Sequence, residues 1–438
     1  MDHIYLQNIE RCVLSSIFFN SNEIYSVASI LKIEDFYITS HKSIFSTMLE
    51  LHNEELPIDI DFVKKRLPKE FNENVLIDIM SANPITNTSA YCHEIKENSK
   101  LRKLQNLTLV INKEINNESK SDDVIYNLQK EIENIENDSL VQSRASRDLI
   151  DDVLYDMKIA AENENKILGQ RSGLNALDNI IGAFEDGDLI IIAARPSMGK
   201  TSIISSITTQ ALTDKNGVLI ESLEMPSKKI MTRLIASRSG ENLSDLKRGL
   251  IKSKNNFDEA LAFFRNDDLI LHDKSYPSLI ELQSRIKSVL RKNPNIKNVF
   301  VDHTGKIQLP GITREDIEIG QISAMLKKIA RDYNIRVFLL QQLNRGVESR
   351  DDKRPQLSDI KNSGNIEEDA DIVLGLYRDA YYKKKKDSLY NNNPIEDAEI
   401  IILKNRDGQT GTAKVSFEAT SARFIDKKEI DIPIVEFG

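Results

Sequence analysis

The segment Ala194-Arg195-Pro196-Ser197-Met198-Gly199-Lys200-Thr201-Ser202 follows an apolar run, Leu189 to Ala193, and opens a helical one. Strand, short loop ending in Gly-Lys-Thr, then helix is an arrangement suited to nucleotide phosphates. Backbone N–H groups of the loop and the helix N-terminus face the anion, a lysine neutralises the β and γ oxygens, and the next hydroxyl ligates Mg²⁺. Lys200 and Thr201 are placed for those two roles. Alanine stands at 194, where such loops usually carry their first glycine, so the backbone there is expected to keep a negative φ.

A phosphate loop specifies a nucleotide but not what is done with it, and hydrolysis needs further groups at the ends of neighbouring strands. Val218 to Glu221 is an apolar run leading into Ser222-Leu223-Glu224-Met225-Pro226. A carboxylate there can polarise the water that attacks the γ-phosphorus, so Glu224 is the candidate general base, with a surface or capping glutamate as the plainer alternative. Val299-Phe300-Val301 ends in Asp302, which can complete a Mg²⁺ shell with Thr201. Val337 to Leu340 ends in Gln341-Gln342, and an amide at that place can sense the γ-phosphate, although the local residues alone leave this open. His303 is expected to be a packed residue at a strand end.

These positions presuppose a sheet. Further apolar runs fall at Leu269 to Leu271, Ile372 to Tyr377 and Glu399 to Leu403, with amphipathic helical stretches between strands. Such a pattern predicts an α/β domain over 171–438 with a buried, mostly parallel sheet and helices on both faces. The N-terminal part reads as all-α. Ile9, Val13, Leu14, Ile17 and Phe18 recur at helical spacing, and Ile44 to Leu51 repeats the pattern. Leu101, Leu104, Ile111 and Ile115, then Ile125, Leu128, Ile132 and Ile135, predict a helical hairpin over about 99–138 that either closes the domain or forms an oligomerisation surface. The helical domain is therefore assigned to 1–138. Residues 139–170 are expected to be a linker whose helix carries Leu149, Ile150, Val153, Leu154 and Met157, a stripe that needs a surface to dock on.

The chain has 438 residues, 40% hydrophobic and 29% charged, which suits two or three folded units and excludes general disorder. No signal-like start and no apolar run of membrane-spanning length are present, so a cytoplasmic protein without membrane association is expected. The net charge of −9 excludes a global basic coat, though not a local basic path for nucleic acid. Cys12 and Cys92 are expected to be small buried residues.

Several of these segments resemble the bacterial replicative DNA helicase of the DnaB type. Ala193 to Thr201, Ser222-Leu223-Glu224-Met225, Gln342-Leu343-Asn344-Arg345, Ser363 to Asp371 and Tyr377-Arg378-Asp379 look like its motor motifs, in its order. Asn8 to Leu14, Glu34-Asp35-Phe36-Tyr37 and Pro57-Ile58-Asp59 look like its helical N-terminal domain, so nearly the whole chain is covered. The resemblance implies a RecA-like motor in a homohexameric ring, binding ATP and Mg²⁺ between subunits and translocating 5′ to 3′ on single-stranded and forked DNA. It further implies primase as a partner and a helicase loader as an optional one.

Carried over by position, Glu224 is the base, Asp302 the metal-binding acid and Gln342 the γ-phosphate sensor. Lys404-Asn405-Arg406 matches the family's Lys-x-Arg pair, which makes Arg406 an arginine finger with Lys404 beside it. The DNA loop would include Lys361, Asn362 and Gly364, where the family usually has Arg-Glu at 361 and 362. After Asp302 the family tends to Tyr-Leu-Gln, and this chain has His303-Thr304-Gly305-Lys306. Two other classes share some of these parts. A strand-exchange recombinase would use the same core without the N-terminal helical domain, and a non-motor primosome platform would not need Lys200, Thr201, Glu224 and Asp302 together.

Overall fold

In the computed structural model the run Leu189–Ala194 forms β1, and all six residues are buried. Side chains alternate between the faces of a strand. Ile190 and Ile192 accordingly enter one hydrophobic cluster, while Leu189, Ile191 and Ala193 enter another. A strand apolar on both sides needs cover on both. The helices Lys200–Thr213 and Ser227–Ser239 give it on the first, through Ile203, Ile207, Ile230 and Leu234. The helices Leu279–Lys292 and Glu315–Tyr333 give it on the second, through Leu282, Ile286, Ile322 and Leu326. Phe338 shows how tightly the middle is filled: its ring stacks on Phe300 at 4.5 Å and meets Phe184 edge-on at 5.1 Å.

The structure describes residues 3–116 except 69 and 86, scattered helical positions between 121 and 135, 146–162, 169–302 except 266, 267 and 275, then 305, 307, 315–360, 368–386 and 394–427. Beside β1 lie β2 (Gly217–Ser222), β3 (Leu269–His272), β4 (Ile296–Asp302), β5 (Arg336–Gln342) and β6 (Ile372–Tyr377). The sheet runs β3-β2-β4-β5-β1-β6-β7-β8-β9, and every pairing up to β6 is parallel. β7 (Ile395–Asn405), β8 (Gly411–Glu418) and β9 (Arg423–Asp426) then continue it antiparallel.

Each expected strand lies within an observed one. β8 and β9 had no expected counterpart. They are short or alternate polar and apolar residues, as antiparallel strands near an edge do, so a search for continuous apolar runs passes over them.

Parallel order has a consequence for chemistry. The C-terminal ends of β1, β2, β4 and β5 share one edge of the sheet, where ligands of such sheets bind. β7 runs the other way, so its last residue, Asn405, pairs with Ile372 at the start of β6, on the opposite edge.

By internal packing the chain divides into residues 1–150 and 151–438. The first unit is helical: His3–Phe19, Glu23–Ile30, Thr39–Asn53, Ile60–Arg66, Asn74–Met80 and Thr88–Asn116. Ile9, Val13, Leu14 and Ile17 meet Ile44, Phe45, Met48 and Leu51 in one core, the two stripes expected from spacing. Asp59 caps the fourth helix, accepting the Phe62 N–H at 2.9 Å. Leu101, Leu104 and Ile115 stay exposed on the long last helix. Leu149, Ile150, Val153, Leu154 and Met157 stay exposed as well, on the helix Ser146–Glu162.

Cys92 is buried, which pushes its thiol up to about 12, whereas Cys12 is only half-buried, against the expectation for both. Cys12 lies next to Arg11, toward the margin of the core stripe. Among the described residues no helix is long and apolar enough to cross a membrane.

Asp188, immediately before β1, is pushed up to about 6 by burial, with the charge of Asp371 adding to the effect. A carboxyl raised by folding contributes stability below its unfolded value of roughly 4, and that contribution is lost as pH rises through about 6. Asp188→Asn removes the term. Its stability relative to the parent should therefore increase between pH 4 and 7 in urea melts; a difference that stays flat with pH would mean Asp188 ionises without penalty.

Candidate active site

β1 ends at Ala194 and the next helix starts at Lys200, which fixes the phosphate loop between them. Ala194 remains part of the strand. The loop's left-handed positions are Ser197 at φ 67° and Gly199 at φ 112°. A turn of this kind directs successive N–H groups to one side, forming an anion cradle. Gly199 is required twice over, since a Cβ there would also lie 2.9 Å from the Phe424 ring.

Side chains from three other segments brace the loop. Arg195 donates through Nη1 to the Leu343 carbonyl at 2.8 Å and pairs with Glu348 at 2.7 Å. Arg378, itself buried, donates to the Ser197 carbonyl at 3.1 Å, pairs with Glu396 at 2.5 Å and lies over the Phe417 ring at 3.7 Å. Phe417 and Phe424 meet at 5.0 Å beneath Gly199. Of these, Arg378 was visible in the sequence only as part of a family motif, and Glu348, Glu396, Phe417 and Phe424 not at all. A buried Arg–Glu pair 18 residues apart leaves no local signature.

The candidate catalytic groups converge at the same edge. Lys200 Nζ lies 3.4 Å from the Gln341 carbonyl, and burial drives its ammonium down while Asp302 and Glu224 pull it back up. Asp302 is buried at the end of β4, where burial raises its carboxyl and Lys200 opposes the rise. It stands in register with Ser222 of β2, and its carbonyl accepts the Leu223 N–H at 3.2 Å. Glu224 follows in an exposed turn closed by Ser222 Oγ donating to the Met225 carbonyl at 2.7 Å. Lys200, Asp302 and Glu224 are thus within one another's fields. Thr201 is half-buried beside Lys200, and Ser202 is buried with its N–H given to the Gly199 carbonyl at 2.9 Å. Gln342 closes β5 next to Ala194 and is half-buried. Pro196 is exposed on the loop and Met198 is buried under it.

A buried carboxylate with one shared ammonium favours a further cation, and Asp302 with the Thr201 hydroxyl fits Mg²⁺, which takes few protein ligands and completes its shell with phosphate and water.

Two expected residues lie elsewhere. Lys404 donates to the Ala370 carbonyl at 2.6 Å, and the Arg406 N–H donates to the Asp371 carbonyl at 2.9 Å. Asp371 pairs its N–H with the Leu189 carbonyl at the start of β1, so the length of β1, about 17 Å at 3.3 Å per residue, separates Arg406 from the phosphate loop. The Arg406 side chain is 57% exposed. Lys361, Asn362 and Gly364, and also His303, Thr304 and Lys306, lie outside the described residues. The neighbouring stretch before Lys361 is tied by Arg350 to Asp359 at 2.7 Å and by Arg354 to Glu399 at 2.7 Å.

Comparison with known proteins agrees with this arrangement. The DnaB-like helicase C terminal domain matches residues 169–426, and the DnaB-like helicase N terminal domain matches residues 2–97. Replicative DNA helicase DnaB of Helicobacter pylori is 35% identical over 97% of this chain and 96% of its own length. Replicative DNA helicase DnaC of Bacillus subtilis is 31% identical over 97% and 96%. Among solved structures, a DnaB-like replicative helicase studied for its interactions with primase superposes with a TM-score of 0.69 at 28% identity, covering 96% of this chain and all of that one. A separately solved ATPase domain superposes with a TM-score of 0.57 at 33% identity, over 64% of this chain and 99% of its own. Matching in both its helical and its RecA-like parts, the chain belongs to the DnaB-like family of replicative DNA helicases, enzymes that couple ATP hydrolysis to DNA unwinding.

Proposed function

We propose that the chain works as a hexameric ring that hydrolyses ATP at the boundary between subunits and moves 5′ to 3′ along single-stranded DNA, parting the duplex at a fork. The observation that carries this reading is the split site. Lys200, Asp302 and Glu224 gather at one edge of the sheet, while Arg406 stands exposed at the other, roughly 17 Å away along β1. A finger that cannot reach its own nucleotide needs a neighbour's. Exposed apolar residues on Thr88–Asn116 and Ser146–Glu162 supply surfaces that contact between copies would cover. A division into a helical domain over 1–138, a linker over 139–170 and a motor over 171–438 suits that assembly.

In this mechanism the loop N–H groups and Lys200 hold the β- and γ-phosphates, and Glu224 takes a proton from the attacking water. Mg²⁺, held by Thr201 and Asp302, would offset charge on the phosphate oxygens. Gln342 contacts the γ-phosphate and relays its loss to the segment that follows β5, where Lys361, Asn362 and Gly364 would hold DNA phosphates without reading bases. Arg406 of the adjacent subunit stabilises the transition state, with Lys404 beside it. The helical domain would receive primase, as the structure of the related helicase with primase suggests, and a loader would help place the ring on DNA. A recombinase or a non-motor platform gains no support from relatives that match over both domains.

Strand displacement on a fork with free 5′ and 3′ tails tests the motor. Displacement should need ATP, a 5′ tail and Lys200; unwinding that starts from a 3′ tail would reverse the proposed polarity. Glu224→Gln should keep ATP affinity and lower turnover by roughly 10²- to 10⁴-fold, measured by phosphate release, and undiminished turnover would remove it as the base. Arg406→Ala should cost on the order of 10³-fold in turnover, yet mixing it with Lys200→Ala subunits should restore a part, because some interfaces then join intact halves. Absence of recovery in verified mixed hexamers would refute a role across the interface.

A further inference from the structure

The run Glu368-Asp369-Ala370-Asp371 enters β6 at the edge far from the phosphate loop, and no step above uses it. Asp371 is nevertheless buried and densely bonded. Its N–H donates to the Leu189 carbonyl at 3.0 Å, and its Oδ2 accepts both the Leu189 N–H at 2.8 Å and Lys327 Nζ at 2.5 Å. The carboxylate is therefore fixed to β1 on one side. Its other oxygen, Oδ1, faces Arg406 Nη1 at 3.5 Å, and its carbonyl accepts the Arg406 N–H at 2.9 Å. The preceding carbonyl, of Ala370, takes Lys404.

From this geometry we infer that Asp371 is the positioning residue of the finger, aiming Arg406 outward toward the neighbouring subunit, with Lys327 balancing its charge so that the guanidinium is oriented without being trapped. The inference rests on the reading of Arg406 as a finger in trans.

Two physical points favour it. A long exposed side chain samples many rotamers, and a fixed anion at its root restricts them before the neighbour arrives. A contact of 3.5 Å, where charge-assisted bonds close to 2.7–2.9 Å, orients a guanidinium and still lets it leave. Lys327 keeps the interaction in that range, because an unshared carboxylate would draw Arg406 in. Glu185, Asp188 and Asp407 are the other acids lining the small cleft of about 40 Å³ beside Asp371 and Arg406, and of the carboxylates there Asp371 is the one that meets the Arg406 guanidinium.

Asp371 also touches β1 through Leu189, so a purely structural role would act on the subunit's own phosphate loop. Complementation separates the two. Asp371→Asn can keep the Leu189 N–H bond while losing the charge that faces Arg406. On the proposal, hexamers of this variant turn over ATP roughly 10- to 100-fold more slowly, with KM for ATP changed less than about twofold. Mixing with Lys200→Ala subunits restores a part of the rate, and mixing with Arg406→Ala subunits restores none, since every interface then lacks a working finger. Recovery with Arg406→Ala but not with Lys200→Ala would overturn the proposal and assign Asp371 to its own loop. Unchanged turnover of Asp371→Asn, where Arg406→Ala is slow and rescued by Lys200→Ala, would overturn it and leave the finger standing; full turnover of Arg406→Ala would sink both. Should Asp371→Asn fail to assemble, Lys327→Gln is read the same way. It should lower kcat about tenfold by retracting Arg406, with the same rescue pattern, and an unchanged kcat would refute the positioning role.

Discussion

The reversal of one strand direction governs how this motor is built. Five parallel pairings bring the ends of β1, β2, β4 and β5 to one edge, so a lysine, two carboxylates and an amide from distant parts of the chain can meet. β7 then turns back, and whatever follows it emerges at the other edge. Had β7 been parallel, Arg406 would point toward the subunit's own nucleotide. Consecutive parallel strands need a crossover connection, whereas short turns join β7 to β8 and β8 to β9, so those antiparallel additions cost the chain little length. The separation of Arg406 from the phosphate loop follows from topology before any detail of side chains.

Electrostatics at the convergent edge is held in tension. Burial lowers the Lys200 ammonium and raises the Asp302 carboxyl, and each offsets part of the other's penalty. Burial of unpaired charge is costly enough that groups shift their protonation to avoid it. Two opposite charges kept close in a site open to solvent at Glu224 form a receptor that a polyphosphate with its cation completes. The loop's left-handed turn at Ser197 and Gly199 belongs to the same logic, since such turns set backbone N–H groups toward an anion.

Much of this was legible in the residues. The phosphate loop and Asp302 stand directly after an apolar run and Glu224 two residues past the end of another, and a buried parallel strand is the element that continuous apolar residues encode most plainly. The sheet's antiparallel half was less visible, because Gly411–Glu418 alternates lysine and serine with valine and phenylalanine. The braces of the loop were not visible at all. Arg195 to Glu348 and Arg378 to Glu396 are pairings fixed by the fold, and spacing in the chain carries no trace of which arginine meets which glutamate. Arg406 was found by resemblance, and the strand direction is what puts it at the edge away from the phosphate loop.

The antiparallel strands also tie the two edges together within one subunit. Near its beginning β7 supplies Glu396, which holds Arg378 against the Ser197 carbonyl, and near its end β8 supplies Phe417, packed under Gly199. Between those points the same two strands run to the far edge, where the turn carries Arg406. Strands whose inward side chains are buried in a close-packed core, as Ala398, Ile400, Ile402, Ala413 and Val415 are buried, bend little. The structure that braces a subunit's own phosphate loop is thus the structure that presents Arg406, and Asp371 joins Arg406 again to β1, the strand from which the loop emerges. The loop and Arg406 are therefore connected twice through backbone, by paths that do not pass through the nucleotide.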